Sequence, residues 1–397
     1  MAAGIGLLGL SGFAFLAVAG HGRFFPADAA ALSVTYLCLN VLGPGIFVAV
    51  EQETNRRVAR ALAAPDRYTL PLRRLGVTTA GLAAVTILVL LAAGPWLVPR
   101  LLGGHVGLLI ALITGAAGSA AVYFVRGVCA GSGRLRRYGA TLLVDGALRI
   151  AGTALVLLTG SVSGLGLALG LAPGLAAVAC GIGLRRALPA TTTQPADGIP
   201  RAVAVLVASW VLLLGMANLG GVVAQALSSD AAMVAAFTAA VALTRVPVML
   251  FGPVQAVLLP RLTAAATTGD RGAFRDQVLR ATAAVGGIGL LTVAGMAVLG
   301  DWAVRLLFGT PPLSRGLLAA LGLGAALLLA MQLLQPAVLA LGRHRAVLLG
   351  CALGLAVFAL CFLLPGDVFL RAAAAQAAGP VVTLGVFALA LRRKDSE

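Results

Sequence analysis

Two arginines sit inside apolar sequence where a charge is costly. Arg149 lies in LVDGALRIAG and Arg245 in ALTRVPVML. A guanidinium is permanently charged and offers planar, paired donors, so the chemistry it suits is the grip of a phosphate or carboxylate. At the centre of a membrane helix each costs about 2.5–3.5 kcal/mol on insertion scales and needs a partner or a wet cavity. Asp145 precedes Arg149 by four residues and shares its helix face. That pair has two readings. It is a self-neutralising lock for the helix, or a cavity charge whose arginine engages an anionic substrate. Arg245 has no carboxylate three or four residues away, so substrate binding is the stronger reading there. Arg126 stands nearer the end of its apolar run and is expected to snorkel to the membrane surface.

Neutral polar residues add hydrogen-bonding capacity. Asn40, Asn218, Gln225, Gln255, Gln332 and Gln335 lie in apolar runs, and Asn218 and Gln225 share one face. Each alone reads as glue between helices. Asn40, Asn218 and Gln225 also join Arg245 and Arg149 as candidate substrate-binding residues. Catalytic groups are not assembled. Glu51 and Glu53 form a close carboxylate pair, but Arg56 and Arg57 adjoin them, and an amphipathic cytoplasmic helix accounts for all four. His21, His105 and His344 are scattered. The five cysteines have no paired spacing and read as packing residues. No metal or cofactor is expected.

The elements that must hold these residues are membrane helices. The chain has 397 residues, 60% hydrophobic and only 11% charged, with mean hydropathy +1.03. Apolar runs of helix-spanning length recur throughout, continuous and rich in Ala, Leu and Gly, which excludes an alternating barrel. Twelve spans are expected, near 2–20, 29–50, 77–98, 105–128, 140–160, 164–184, 203–226, 232–256, 282–300, 315–338, 346–364 and 372–391. The first stays in place as a helix rather than being cleaved as a signal. The net charge of +16 reports topology rather than nucleic acid: 21 basic residues fall in loops on one side and five on the other. Both termini are therefore expected in the cytoplasm. Pro44, Pro247 and Pro253 are placed to kink the second helix of each half. The polar segments 51–76 and 261–281 are each expected to carry an amphipathic cytoplasmic helix.

The halves repeat. GPWLVPRLLGG at 94–104 returns as GDWAVRLLFGT at 300–310, LGPGIFVAV at 42–50 as FGPVQAVLL at 251–259, and GRLR at 133–136 as GRHR at 342–345, with offsets of 206–209. The expected organisation is an all-α polytopic protein with a six-helix lobe at 1–184, a cytoplasmic linker at 185–202, a second lobe at 203–391 and a tail at 392–397. Six spans per copy insert both copies the same way up, about an axis along the membrane normal, with a cavity between them.

The chain resembles the polysaccharide-transporter branch of the MOP superfamily, which also holds the MATE antiporters. The resemblance rests on PWLVPRLLGG and DWAVRLLFG, on NLGGVVAQAL and ALTRVPVMLFGPVQAVLLPRL in spans seven and eight, and on LALGRHRAVL. It implies two six-helix lobes around a cationic cavity, in which Arg245 matches the arginine often present in the span-eight motif. Span two, LSVTYLCLNVLGPG, departs by offering Asn40 in place of an arginine. The implied function is a flippase in the cytoplasmic membrane for an isoprenoid-(pyro)phosphate-linked oligosaccharide, working by alternating access. Its expected partners are that anionic lipid-linked saccharide, membrane lipids and polysaccharide-assembly proteins. A MATE-type drug/cation antiporter is the alternative, and spans one, two, seven and eight lack the carboxylates it needs. A membrane-embedded glycosyl- or phosphotransferase ranks lower, for want of an Asp/Glu/His cluster. A major-facilitator carrier lacks its Gly/Asp/Arg loop signature here.

Overall fold

The computed structural model describes residues 2–21, 26–65, 70–157, 160–182, 198–228, 230–308 and 312–392. Among them there is no strand. In chain order the helices are α1 (Ala2–His21), α2 (Pro26–Asn40), a π-helical segment (Val41–Phe47), α3 (Val48–Ala63), α4 (Leu72–Leu101), α5 (Val106–Gly131), α6 (Leu135–Leu157) and α7 (Val162–Gly181). There follow α8 (Ile199–Leu227), α9 (Ala231–Thr268), α10 (Arg271–Phe308), α11 (Arg315–Ala340), α12 (His344–Leu360), a 3₁₀ turn (Cys361–Leu363) and α13 (Val368–Arg392). Among the described residues ten helices are long and apolar enough to cross a membrane, and α1 and α9 occupy the first and eighth expected spans. The protein is a multi-pass membrane protein.

Helix starts follow local chemistry. Ser161, Asp230 and Ser314 each accept a hydrogen bond from the backbone N–H three residues on, satisfying a donor the helix leaves free. The expected second span runs without a break from Pro26 to Ala63, through α2, the π segment that holds Pro44, and α3. A proline cannot donate to the helix ladder, and the wider π turn absorbs the missing bond. Helix α9 is continuous through Pro247 and Pro253.

The chain forms two compact units, Met1–Val207 and Ala208–Glu397. In the first, α5 packs on α3, α4 and α7, α6 packs on α7, and α1 packs on α6. Glycine lets these backbones close up. A Cβ on Gly118 would stand 2.6 Å from the Gly174 nitrogen of α7, and one on Gly127 2.7 Å from the Glu51 carbonyl oxygen of α3. Gly131, four residues on, faces the Asn55 carbonyl in the same way. This is the small-residue spacing that brings membrane helices together. Phe47, Leu108, Leu112, Leu165 and Leu169 fill the core between them. In the second unit α11 packs on α9, α10 and α13, and α12 on α13. Its core sets Phe237 against Phe369, ring centroids 5.4 Å apart, beside Leu318 and Leu321.

The repeat shows in local geometry. Helices α5 and α11 have the same length, 26 residues, at an offset of 209. Gly133 and Gly342 take left-handed φ values of 70° and 73°. After α5, Gly133 N bonds Ala130 O and Arg134 N bonds Cys129 O; after α11, Gly342 N bonds Leu339 O and Arg343 N bonds Val338 O. Each partner is displaced by the same 209 positions.

Two expectations are corrected. Segment 261–281 carries no helix of its own: α9 runs on to Thr268, Gly269 turns the chain at φ 75°, and α10 starts at Arg271, its first turn held by Asp270 Oδ1 accepting from Ala273 N. Within 51–76, the Glu51–Arg57 stretch is the end of the membrane helix itself, and Glu51 through Arg56 are all buried. It is not a surface helix, because Gly127 and Gly131 draw α3 against α5.

Candidate functional site: a buried guanidinium–carboxylate cluster

Helix α6 carries a polar stripe, Tyr138, Thr141, Asp145 and Arg149, spaced three, four and four residues apart and therefore on one face. Arg126 projects into it from the last turns of α5. Its Nη2 donates to Asp145 Oδ2 at 2.9 Å and its Nε to Thr141 Oγ1 at 3.2 Å. Thr141 in turn donates to the Tyr138 carbonyl at 2.7 Å. The Arg126 guanidinium also stands 5.2 Å from the centre of the Tyr123 ring, within cation–π range. Arg149 Nε donates to the other Asp145 oxygen, Oδ1, at 2.8 Å. One carboxylate therefore serves two guanidiniums. Glu51 closes the network from α3, accepting a 3.0 Å hydrogen bond from the Tyr138 hydroxyl.

A second cluster centres on Glu53, two residues further along α3. Glu53 receives both Nε and Nη2 of Arg56, each at 2.9 Å, and Arg57 Nε at 2.7 Å. The two clusters together hold four guanidiniums against three carboxylates. All are buried except Arg57 and Arg149, whose side chains are 19% and 17% exposed. Breaking one partner out of such a buried pair typically costs about 3–5 kcal/mol, because a charge is left alone.

The Asp145–Arg149 pair expected from the sequence is thus present, with Arg126 added to it. Arg126 does not snorkel: it is 4% exposed, since Asp145 and Thr141 satisfy it where it stands. Asn40 donates from Nδ2 to the Tyr36 carbonyl of its own helix at 2.9 Å. The side chains of Asn218, Gln225, Gln255 and Arg245 lie outside the described residues. Sequence reading missed Arg126, Glu51 and Tyr138 as members of one network. The Tyr-Thr-Asp-Arg stripe was a usable signal; the approach of α3 and α5 to it was not. The five cysteines are free thiols. Among the described residues no group of three or more His, Cys, Asp or Glu could hold a metal.

No protein-family model matches the chain. An uncharacterized protein of Mycobacterium tuberculosis (strain ATCC 25618 / H37Rv), Rv1510, is 30% identical over 371 residues, covering 86% of this chain and 80% of that one. The chain belongs to its family. A second uncharacterized protein of the same strain, Rv3630, is 29% identical over 365 residues, covering 87% and 80%. Among solved structures, the Vibrio cholerae MATE transporter VcmN in the bent form matches with TM-score 0.80 and 20% identity, covering 98% of this chain and 95% of that one. An outward-facing multidrug resistance MATE family transporter of the MOP superfamily matches with TM-score 0.75 and 15% identity, over 99% and 95%. The fold of this family member is accordingly the MATE fold.

Proposed function

We propose that this protein is a MOP-type membrane transporter whose cargo is anionic. In this reading it flips an isoprenoid-phosphate- or pyrophosphate-linked oligosaccharide across the cytoplasmic membrane, by alternating access around a cationic central cavity. The observation that supports it most is the state of the carboxylates. A cation or cationic drug needs a carboxylate free to receive it. Asp145 already holds two guanidiniums and Glu53 two more, and Glu51 accepts a hydrogen bond from the Tyr138 hydroxyl. The surplus charge is positive, and Arg57 and Arg149 are the members of the clusters that keep some exposure. A phosphate headgroup matches that surplus through paired, charge-assisted hydrogen bonds. The saccharide crosses in a wet path while the isoprenoid tail stays in lipid. No bond is made or broken, so no acid, base or nucleophile is required.

The second reading is a MATE-type antiporter, favoured by the fold of the solved relatives. Proteoliposomes separate the two. With a labelled polyprenyl-pyrophosphate-linked saccharide in the inner leaflet, the flippase reading expects protein-dependent appearance of label in the outer leaflet and no uptake of a cationic dye under a Na⁺ or proton gradient. Gradient-driven dye movement without lipid flipping would overturn it.

A further inference from the structure

A cavity of about 490 Å³ opens in the first unit, where α4 and α8 begin. Arg73, Arg74, Val77 and Thr78 of α4 line one wall, and Ile199 and Pro200 of α8 the other. Ile199 is buried in the same apolar core as Leu75 and Val203, which fixes the two helix starts against each other. The first turns of both helices lack an acidic residue. Arginine in a first turn has the unfavourable sign for the helix dipole, and an anion there reverses the balance. Below the arginines, α4 is the least buried of the ten candidate spans. Val77, Val85, Leu88 and Val89 stand exposed along it. An apolar stripe thus runs into a basic, partly enclosed head.

We infer that this cavity is a binding site for an anionic phospholipid: the phosphate sits against Arg73, the Thr78 hydroxyl is within its reach, and an acyl chain lies along Val77, Val85 and Leu88. Charge and shape choose the occupant together. A soluble phosphate would use Arg73 and leave the stripe idle; a zwitterionic lipid would use the stripe and bring its own cation to Arg73. Arg74 already has a partner in the chain, and Asp66 and Asp197, the nearest carboxylates in sequence, lie outside the described residues. The site therefore rests on Arg73, on the partly enclosed head and on the stripe. It is separate from the cargo-binding reading above and does not depend on it.

Native mass spectrometry of the purified full chain tests it, with phosphatidylglycerol and phosphatidylcholine of identical acyl chains in competition. A basic residue near a headgroup is worth about 1 kcal/mol, or about fivefold per arginine. Wild type should retain phosphatidylglycerol over phosphatidylcholine, and Arg73→Gln alone should cut that preference about fivefold. The control is Arg134→Gln with Arg136→Gln. Those residues line a second basic cavity of about 500 Å³ at the turn after α5. The control should leave the preference unchanged. Val77→Ser, which keeps every charge, should weaken retention of both lipids. Equal loss in the Arg134/Arg136 control would overturn the proposal, as would a preference that survives Arg73→Gln. Displacement of the lipid by millimolar inorganic phosphate would overturn it in favour of a free-anion site. Retained thermal unfolding of Arg73→Gln shows that the variant reads binding rather than folding.

Discussion

Arg126 of α5 places Nη2 2.9 Å from Asp145 Oδ2 of α6, while Arg149, one turn along α6, holds the opposite oxygen at 2.8 Å. The two arginines share one carboxylate but not one environment. Arg126 is enclosed; Arg149 reaches outward. Their roles should separate on mutation.

Arg126→Ala should destabilise the fold by about 3–5 kcal/mol, because Asp145 loses its enclosed partner and Thr141 its donor. Arg149→Ala should cost far less, since Asp145 remains paired with Arg126. Thermal unfolding in detergent ranks the two, and equal losses would refute the division of roles.

Asp145→Asn removes the charge both arginines share. If the cluster is a structural lock, protein level and melting temperature fall together with transport. If Arg149 serves cargo, a folded Asp145→Asn protein shows altered flipping at normal abundance. Parallel measurement of abundance and flipping in proteoliposomes decides which holds.

Arg245→Ala should abolish flipping while leaving protein levels intact. Arg245→Lys should restore only part of it, because an ammonium cannot offer the paired planar donors of a guanidinium. Normal flipping by Arg245→Ala, in a strain dependent on this protein, would remove Arg245 from the site.

Gly127→Val should weaken the protein by driving a side chain into the α3 backbone at Glu51 and the Thr54 side chain. Gly133→Ala meets no atom but must hold a left-handed φ of 70°, at a cost of about 1 kcal/mol. Melting temperatures should therefore order as wild type, Gly133→Ala, Gly127→Val.

Cysteine labelling tests the topology read from the charge asymmetry. On a cysteine-free background, positions 137 and 393 should react only from the cytoplasmic side. Labelling from outside alone would reverse the assignment.

The sequence by itself determined the helical class, the order of the apolar helices and the recurrence of GRLR as GRHR. Each of these is a local property: an apolar run must close its own backbone hydrogen bonds in lipid, and Gly133 and Gly342 turn at a left-handed φ that strains any other residue. The Asp145–Arg149 pair was legible for the same reason, since four residues make one helical turn. Tertiary structure decided what those charges meet. Nothing in LVDGALRIAG announces Arg126, 19 positions earlier, or Glu51 on a third helix. Glu51 and Glu53 looked like a solvated face because a string of polar residues after an apolar run has that pattern on any surface. They are buried because Gly127 and Gly131 admit the α3 backbone to α5, and because guanidiniums and a tyrosine hydroxyl replace the water they give up. Which partner replaces water is set by helices far apart in the chain, so only the packed structure determines it.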